Sequence, residues 1–489
     1  MKLRCMRLAA WPGLRWIALP LLAMACAAGS GARAQRTVFA HYMLANQDYV
    51  SSTADSETVI ASYQREIRQA QAIGIDGFAL NAGGWFKEPR YIRRASEMFE
   101  AAYRLHSNFK LMFSADMCCS NDAADVEDMV RRFANSQRYS ATYYQSNGRF
   151  VLTTFSGSRL GTAFWQRLRN DLEQGSNPSQ REAHVALTYV SEVPSNAPLP
   201  VMLVPAFFWG GETPRKSDIE QALTDYTHII DGAFYWGIAG VPGLGKPPDQ
   251  IPSSQAYATA LHRAGKLYMA PICLQFWGAN KNRYYEYSGF SGMRRLWMDA
   301  IDVTHPDWVE IITWNDFIEG TYVSPIDDPA KYPLANDLGN SAAPPSTLRT
   351  FHSHRGATEL LAFYIQWYKT GAQPAIHNDS VFWAYRTQLS PLSSKGTQIK
   401  IYGPLATVLY VTANLTAPAV LRVSFGSDVK SLTLPAGSTD VEVPLLSGDP
   451  PSFDLIRAGR QLAHATGDDP VSATGPYPNL YYSTGFMRD

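Results

Sequence analysis

A TIM-type (β/α)8 barrel followed by a smaller β-sandwich is the fold class this sequence predicts, on three observations. Between residues 36 and 374, short β-branched and aromatic runs alternate eight times with stretches of helical periodicity. Those runs are almost continuously apolar, as strands buried on both faces are. After about residue 375 the helical periodicity stops, and short strands punctuated by Gly, Pro, Ser and Asp take over. The expected divisions are a leader at 1–34, a barrel at 35–374 and a β-sandwich at 375–489.

The leader comes first. Lys2, Arg4, Arg7 and Arg15 supply a basic region, an apolar stretch runs from about Trp16 to Ala28, and Ala32-Arg33-Ala34 offers small residues for cleavage before Gln35. The apolar run is too short for a membrane span, and no later stretch reads as one. A cleavable signal peptide and a secreted or periplasmic protein are expected.

Val38–Leu44 is the first strand, and it runs into polar Asn46, Gln47 and Asp48. From Glu57 to Gly74, Val59, Ile60, Tyr63, Ile67, Ala70 and Ile73 fall at helical spacing, with Gly74 able to end the helix. Asp76–Asn81, Phe109–Ser114, Arg149–Phe155, Val201–Trp209, Asp231–Trp236, Lys266–Cys273 and Val309–Trp314 read as the next seven strands. Helices are expected at 89–106, 124–135, 164–173, 217–230, 253–264, 291–303 and 354–369. Residues 174–199 read as a polar insert with one extra strand at 184–190. Residues 276–287 read as a long aromatic loop, and 325–346 as a Pro-rich one. A doubly wound open sheet competes, but no glycine-rich phosphate fingerprint follows the first strand. In the tail, strands are expected at 381–386, 407–413, 419–425, 431–434 and 441–443.

Composition narrows the chemistry. The leader holds five of the 43 basic residues and none of the 43 acidic ones, so the remaining chain carries a net charge of −5. It has no basic excess to grip a polyanion, which argues against nucleic acid. Twelve Trp and 26 Tyr supply rings for a large core and for stacking on sugar faces. Outside the leader only Cys118, Cys119 and Cys273 remain, too few for a disulfide framework; the adjacent Cys118 and Cys119 read as two reduced cysteines at a strand end, with a strained vicinal disulfide as the alternative in an oxidising compartment. Only His41 lies near a strand end, so no metal is expected. No Gly-x-Ser-x-Gly elbow is present.

In such a barrel the C-terminal strand ends face one cavity. The candidates there include Tyr42, Asn46, Asn81, Trp85, Asp116, Trp236, Trp277, Trp314 and Asn315 as sugar-binding groups. Asp316 and Glu319 are the candidate catalytic pair. Glycosidic hydrolysis needs one carboxyl to protonate the leaving oxygen and a second to activate water or attack. Three residues apart on a straight strand, two side chains point to opposite faces. Asp316 and Glu319 can therefore act together only if the chain turns between them, and Gly320 suits such a turn.

Several segments resemble glycoside hydrolase family 71, in order along the chain: Phe39–Asn46, Ala72–Asn81, Phe109–Met117, Tyr268–Pro271, Thr313–Glu319 and the Tyr364–Gly371 helix end. The resemblance spans about 36–375 and continues more weakly into the tail. It implies a barrel with a β-sandwich, inverting endo-hydrolysis of α-1,3-glucan, no cofactor and a monomer. Its Trp-Asn-Asp-x-x-Glu motif falls on Trp314–Glu319, which implies Glu319 as general acid and Asp316 as water-activating base. The motif also resembles that of the endo-acting α-mannosidases and α-mannanases of family 99, whose first carboxylate is a glutamate. A family 99-like enzyme and a non-catalytic glycan-binding protein stay open as alternatives.

Overall fold

The protein is seen in a computed structural model that describes residues 36–45, 54–118, 121–175, 196–211, 213–241, 249–278, 283–326, 352–390, 399–475 and 479–489. The expected leader, Asn46, Cys119, the extra strand at 184–190 and most of the Pro-rich loop lie outside these residues.

Among the described residues, eight parallel strands alternate with eight helices. They are β1 (Thr37–Met43), α1 (Ser56–Ala72), β2 (Gly77–Ala82), α2 (Arg90–Arg104), β3 (Lys110–Asp116), α3 (Ala123–Ala134), β4 (Arg149–Phe155) and α4 (Gly161–Gln174). Then follow β5 (Val201–Ala206), α5 (Lys216–Tyr226), β6 (Gly232–Phe234), α6 (Gln250–Arg263), β7 (Leu267–Cys273), α7 (Gly289–Met298), β8 (Trp308–Ile312) and α8 (Arg355–Thr370). The helix starts are written locally: Asp55 accepts from the Thr58 amide at 2.9 Å, and Asp122 and Asp125 exchange bonds in a capping box.

The strands form one curled sheet in a mixed α/β fold. Parallel ladders run β6–β7–β8–β1–β2–β3–β4–β5, so β8 pairs with β1 although some 270 residues separate them. Between β5 and β6, the Asp231 amide donates to the Leu203 carbonyl and the Leu203 amide to the Asp231 carboxylate, both at 2.9 Å. Ladder parity places Phe39, His41, Ala79, Asn81, Ser114, Asp116, Thr153, Phe155 and Glu310 on one face of the sheet. Contacts across that face confirm its curl, because Trp236 meets His41 of β1 at 4.5 Å and Phe155 of β4 at 4.8 Å.

The tail forms two four-stranded antiparallel sheets. Strands β9 (Ser380–Arg386), β10 (Val408–Leu415), β13 (Gly437–Pro444) and β16 (Tyr482–Arg488) make one, in the order β13-β10-β9-β16. Strands β11 (Ala419–Phe425), β12 (Asp428–Leu434), β14 (Ser452–Arg457) and β15 (Arg460–Thr466) make the other, in the order β12-β11-β14-β15. Val381, Trp383, Leu409 and Val411 of the first sheet share a buried cluster with Leu421, Val423, Phe453 and Leu455 of the second. Arg36–Asp489 make one compact unit.

Two expectations change. The aromatic stretch at 276–287 contains a hairpin, Phe276–Gly278 against Arg283–Tyr285, to which Lys400–Tyr402 adds a parallel strand. Helix α7 stops at Met298 and continues as a wider π turn, Asp299–Thr304.

That turn carries a testable group. Burial raises the Asp299 carboxyl from 3.8 to about 6. The fold therefore binds a proton that the unfolded chain releases, and this group's contribution to stability is full below about pH 4 and is lost as pH rises through about 6. Asp299→Asn keeps an acceptor for the Gln255 amide, now 2.7 Å from Oδ1. We expect it to exceed the parent in unfolding free energy by about 1–3 kcal/mol at about pH 7.5, and to match it near pH 4. A difference that does not vary with pH in denaturant titrations excludes this account.

Candidate active site

Strand β8 is a ladder from Trp308 to Ile312, and beyond it the chain folds back on itself. The Thr313 amide donates to the Thr321 carbonyl at 2.9 Å, the Val323 amide donates back to Thr313 at 2.9 Å, and the two threonine hydroxyls meet at 3.0 Å. Within this excursion, Asp316 Oδ1 accepts from the amides of Ile318 at 3.1 Å and Glu319 at 3.0 Å. The Thr313 hydroxyl holds the Asp316 amide at 2.8 Å. The turn that the pair requires is thus present, and Asp316 itself builds it. Gly320 follows at φ 64°, with its Cα so close to Tyr481 that an added Cβ would lie 2.5 Å from the ring.

Glu319 is half-buried and Asp316 almost fully so. Burial pushes the Cys273 thiol, at the end of β7, up to about 12, with the negative charge of Glu319 adding to the rise. Both amide bonds fall on Oδ1, so the turn fixes the orientation of the Asp316 carboxyl.

The other sequence candidates divide into two groups. Asn81 and Asp116 end β2 and β3 on the interior face, and Trp236 extends beyond β6 onto the same face. Asp116 Oδ1 accepts from the Cys118 amide at 2.9 Å, while the Asn81 side chain has no hydrogen-bond partner among the described residues. Asn315 grips the end of β1, accepting from the Met43 amide at 2.7 Å and donating to its carbonyl at 3.2 Å.

The second group presents no open ring face. Tyr42 and Trp314 are fully buried and both bond Glu66 of α1, at 3.1 and 2.9 Å. Trp85 is fully buried, with its indole donating to Asp128 of α3 at 2.6 Å. Trp277 is 1% exposed, and its amide donates to the Glu319 carbonyl at 2.8 Å. These four rings hold loops and helices against the strand ends. An aromatic residue next to a strand end fits a cleft and a wall equally well in sequence, because packing decides which way it turns.

One functional candidate escaped sequence reading. Glu310, in the middle of β8, is fully buried and bonds His41 Nδ1 at 2.7 Å. Burial raises its carboxyl, and His41 offsets part of the rise. Glu310 Oε2, His41 Nε2 and the Thr153 hydroxyl, all on the interior face, have no hydrogen-bond partner among the described residues. The signal was a glutamate inside Val309-Glu310-Ile311, an apolar run where an unpaired charge is costly. Only the β1–β8 register, Phe39 beside Glu310, supplies its partner.

Among the described residues no group of three or more His, Cys, Asp or Glu side chains is arranged to hold a metal, and no helix is long and apolar enough to cross a membrane.

Comparison with known proteins bears on this geometry. The model of glycosyl hydrolase family 71 matches residues 34–482. The chain is 26% identical over 461 residues to glucan endo-1,3-alpha-glucosidase agn1 of Schizosaccharomyces pombe, covering 93% of this chain and 95% of that protein. It is 26% identical over 447 residues to mutanase Pc12g07500 of Penicillium rubens, covering 88% of this chain and 84% of that one. An endo-alpha-mannosidase of family 99 from Bacteroides thetaiotaomicron overlaps in structure at a TM-score of 0.44 and 10% identity, over 69% of this chain and 98% of that one.

Proposed function

Because the chain belongs to glycosyl hydrolase family 71, we propose that this glycoside hydrolase cleaves internal α-1,3-glucosidic bonds in α-glucan with inversion. The supporting observation is that the match covers the whole 34–482 span while Asp316 and Glu319 stand on one turn at the end of β8. We read the curled sheet with its helices as a (β/α)8 barrel, residues 35–374, and the two tail sheets as a β-sandwich, 375–489. Residues 1–34 are read as a cleaved signal, which makes the enzyme secreted or periplasmic, and the enzyme works as a monomer.

The mechanism follows from the two carboxyls. Glu319 protonates the departing glycosidic oxygen. Asp316, oriented by the Ile318 and Glu319 amides, draws a proton from the water that attacks the anomeric carbon from the opposite face. Positive charge develops on the sugar ring in the transition state, and the negative Asp316 carboxylate stabilises it. Asn81, Asp116 and Trp236 offer an amide, a carboxylate and a ring to sugar hydroxyls and faces. Tyr42, Trp85, Trp277, Trp314 and Asn315 act one layer back, holding the strand ends in place.

A panel of α-1,3-, α-1,4- and α-1,6-glucans with α-mannan, followed by reducing-end release and by NMR of the first product, tests this reading. Expected is release from α-1,3-glucan alone, with the β-anomer appearing first. Release from α-mannan points to the family 99-like activity, binding without release to a glycan-binding protein, and an initial α-anomer removes the inverting mechanism.

A further inference from the structure

The tail reaches into the loop that carries the two acids. Residues Asn479–Tyr482, which lead into β16, lie between the excursion after β8, the segment after β7 and the start of α8. The Tyr481 hydroxyl donates to the Phe317 carbonyl at 2.8 Å, and its ring lies against Gly320. These contacts bracket Glu319 on both sides. The Tyr482 amide donates to Gln275 Oε1 at 2.9 Å. His354, just before α8, places Nδ1 2.6 Å from the Tyr322 carbonyl and Nε2 3.2 Å from the Tyr482 carbonyl, and stacks on the Tyr322 ring at 4.1 Å. Asn479 anchors the segment in turn, with its amide donating to Gln388 Oε1 at 2.7 Å and its side chain accepting from the Tyr481 amide at 3.1 Å.

Packing tells the same story as hydrogen bonding. Trp277, Phe317, Tyr322, Leu480 and Tyr481 form a small buried cluster separate from the main core. The Asp316–Thr321 turn closes hydrogen bonds of its own through Asp316 and Thr321. Its position over the strand ends is set by this cluster and by the Trp277 amide on the Glu319 carbonyl.

We propose that Tyr481 is a positioning residue for Glu319, so that the C-terminal β region completes the active site from outside the barrel. The inference rests on the reading of Glu319 as the general acid. A general acid must stand within hydrogen-bond reach of the glycosidic oxygen, and a displacement of about 1 Å can cost about a hundredfold in rate. Tyr481 contributes a hydrogen bond at Phe317, two residues before Glu319, and a rigid ring at Gly320, the residue after it.

The test uses the full chain, with Tyr481→Phe, Tyr481→Ala and Glu319→Gln assayed on α-1,3-glucan, alongside thermal unfolding of each. Tyr481→Phe removes one hydroxyl and keeps the ring, so it remains folded. We expect kcat to fall about tenfold in Tyr481→Phe and about a hundredfold in Tyr481→Ala, with KM within about twofold of the parent. The acidic-to-basic limb of the kcat–pH profile that reports the general acid should shift in both variants, since the acid's surroundings change. An unchanged kcat and profile in Tyr481→Phe and Tyr481→Ala, or a loss that only tracks the folded fraction with the profile unmoved, overturns the proposal. The two failures are separable. If Glu319→Gln keeps near-full activity, the acid assignment falls. If Glu319→Gln is inactive and the Tyr481 variants behave as the parent, only the positioning role falls.

Discussion

Asp316→Asn and Glu319→Gln are each expected to lower kcat by about 100- to 10,000-fold, with the fold intact and KM changed little, because each removes one partner of the proposed acid–base pair. The local structure makes the test clean. Asn at 316 retains the Oδ1 that accepts from the Ile318 and Glu319 amides, so the turn survives while the charge is lost. Loss of activity then reports the carboxylate and not a collapsed loop. The two roles are separable with an aryl α-glucoside of good leaving group. That substrate needs little protonation, so Glu319→Gln should recover much of its rate on it. Asp316→Asn should not, because water still has to be activated. Retention of more than about a tenth of parental kcat by either variant removes that residue from the reaction.

Arg386→Met is expected to cost about 3–5 kcal/mol of unfolding free energy, the usual size for a buried ion pair deprived of one partner. Arg386 of β9 bonds Glu286 at 3.0 Å, and their side chains are 2% and 1% exposed. Glu286 also accepts from the Ser288 amide at 2.7 Å and the Tyr482 hydroxyl at 3.2 Å. Without the guanidinium, its charge is left in a site walled by Tyr284, Tyr410 and Tyr482. The pair joins the segment after β7 to the first tail sheet, so the loss should appear as one lowered transition and not as selective melting of the tail. Replacing both partners, Glu286→Leu with Arg386→Met, should recover most of the loss, since desolvating the pair is itself costly. A denaturant midpoint unmoved by Arg386→Met sinks the argument.

Much of this molecule is legible in its sequence because burial imposes periodicity. Val38–Leu44 is apolar but for His41, and Phe109–Ser114 but for Lys110 and Ser114, since both faces of a parallel strand are covered, and α1 shows its buried Val59, Ile60, Tyr63 and Ile67 at helical spacing. The strands at Arg460–Thr466 and Tyr482–Arg488 were not legible. The first is largely exposed, and the second contains Ser483 and Thr484, polar residues that become buried only by pairing with β9 and packing on α8. The site was legible in part. A carboxylate pair three apart with a glycine after it specifies a turn, and the turn is there. The direction of a tryptophan is not written in its neighbours. Trp314 and Tyr42 converge on Glu66 because α1 lies behind them, and Trp236 meets His41 because the sheet curls.

By itself, then, the sequence determined the alternation of strands and helices, the change to β structure near residue 375, and the acid-bearing turn after the eighth strand of the curled sheet. These are local properties, decided by propensity, period and spacing within a dozen residues. Only the tertiary structure decided that Glu310 finds His41, that four of the candidate rings are wall and not cleft, and that Tyr481 stands against the acid-bearing turn from 160 residues downstream. Those contacts join residues far apart in the chain, and long-range register and packing, which no local pattern encodes, bring them together.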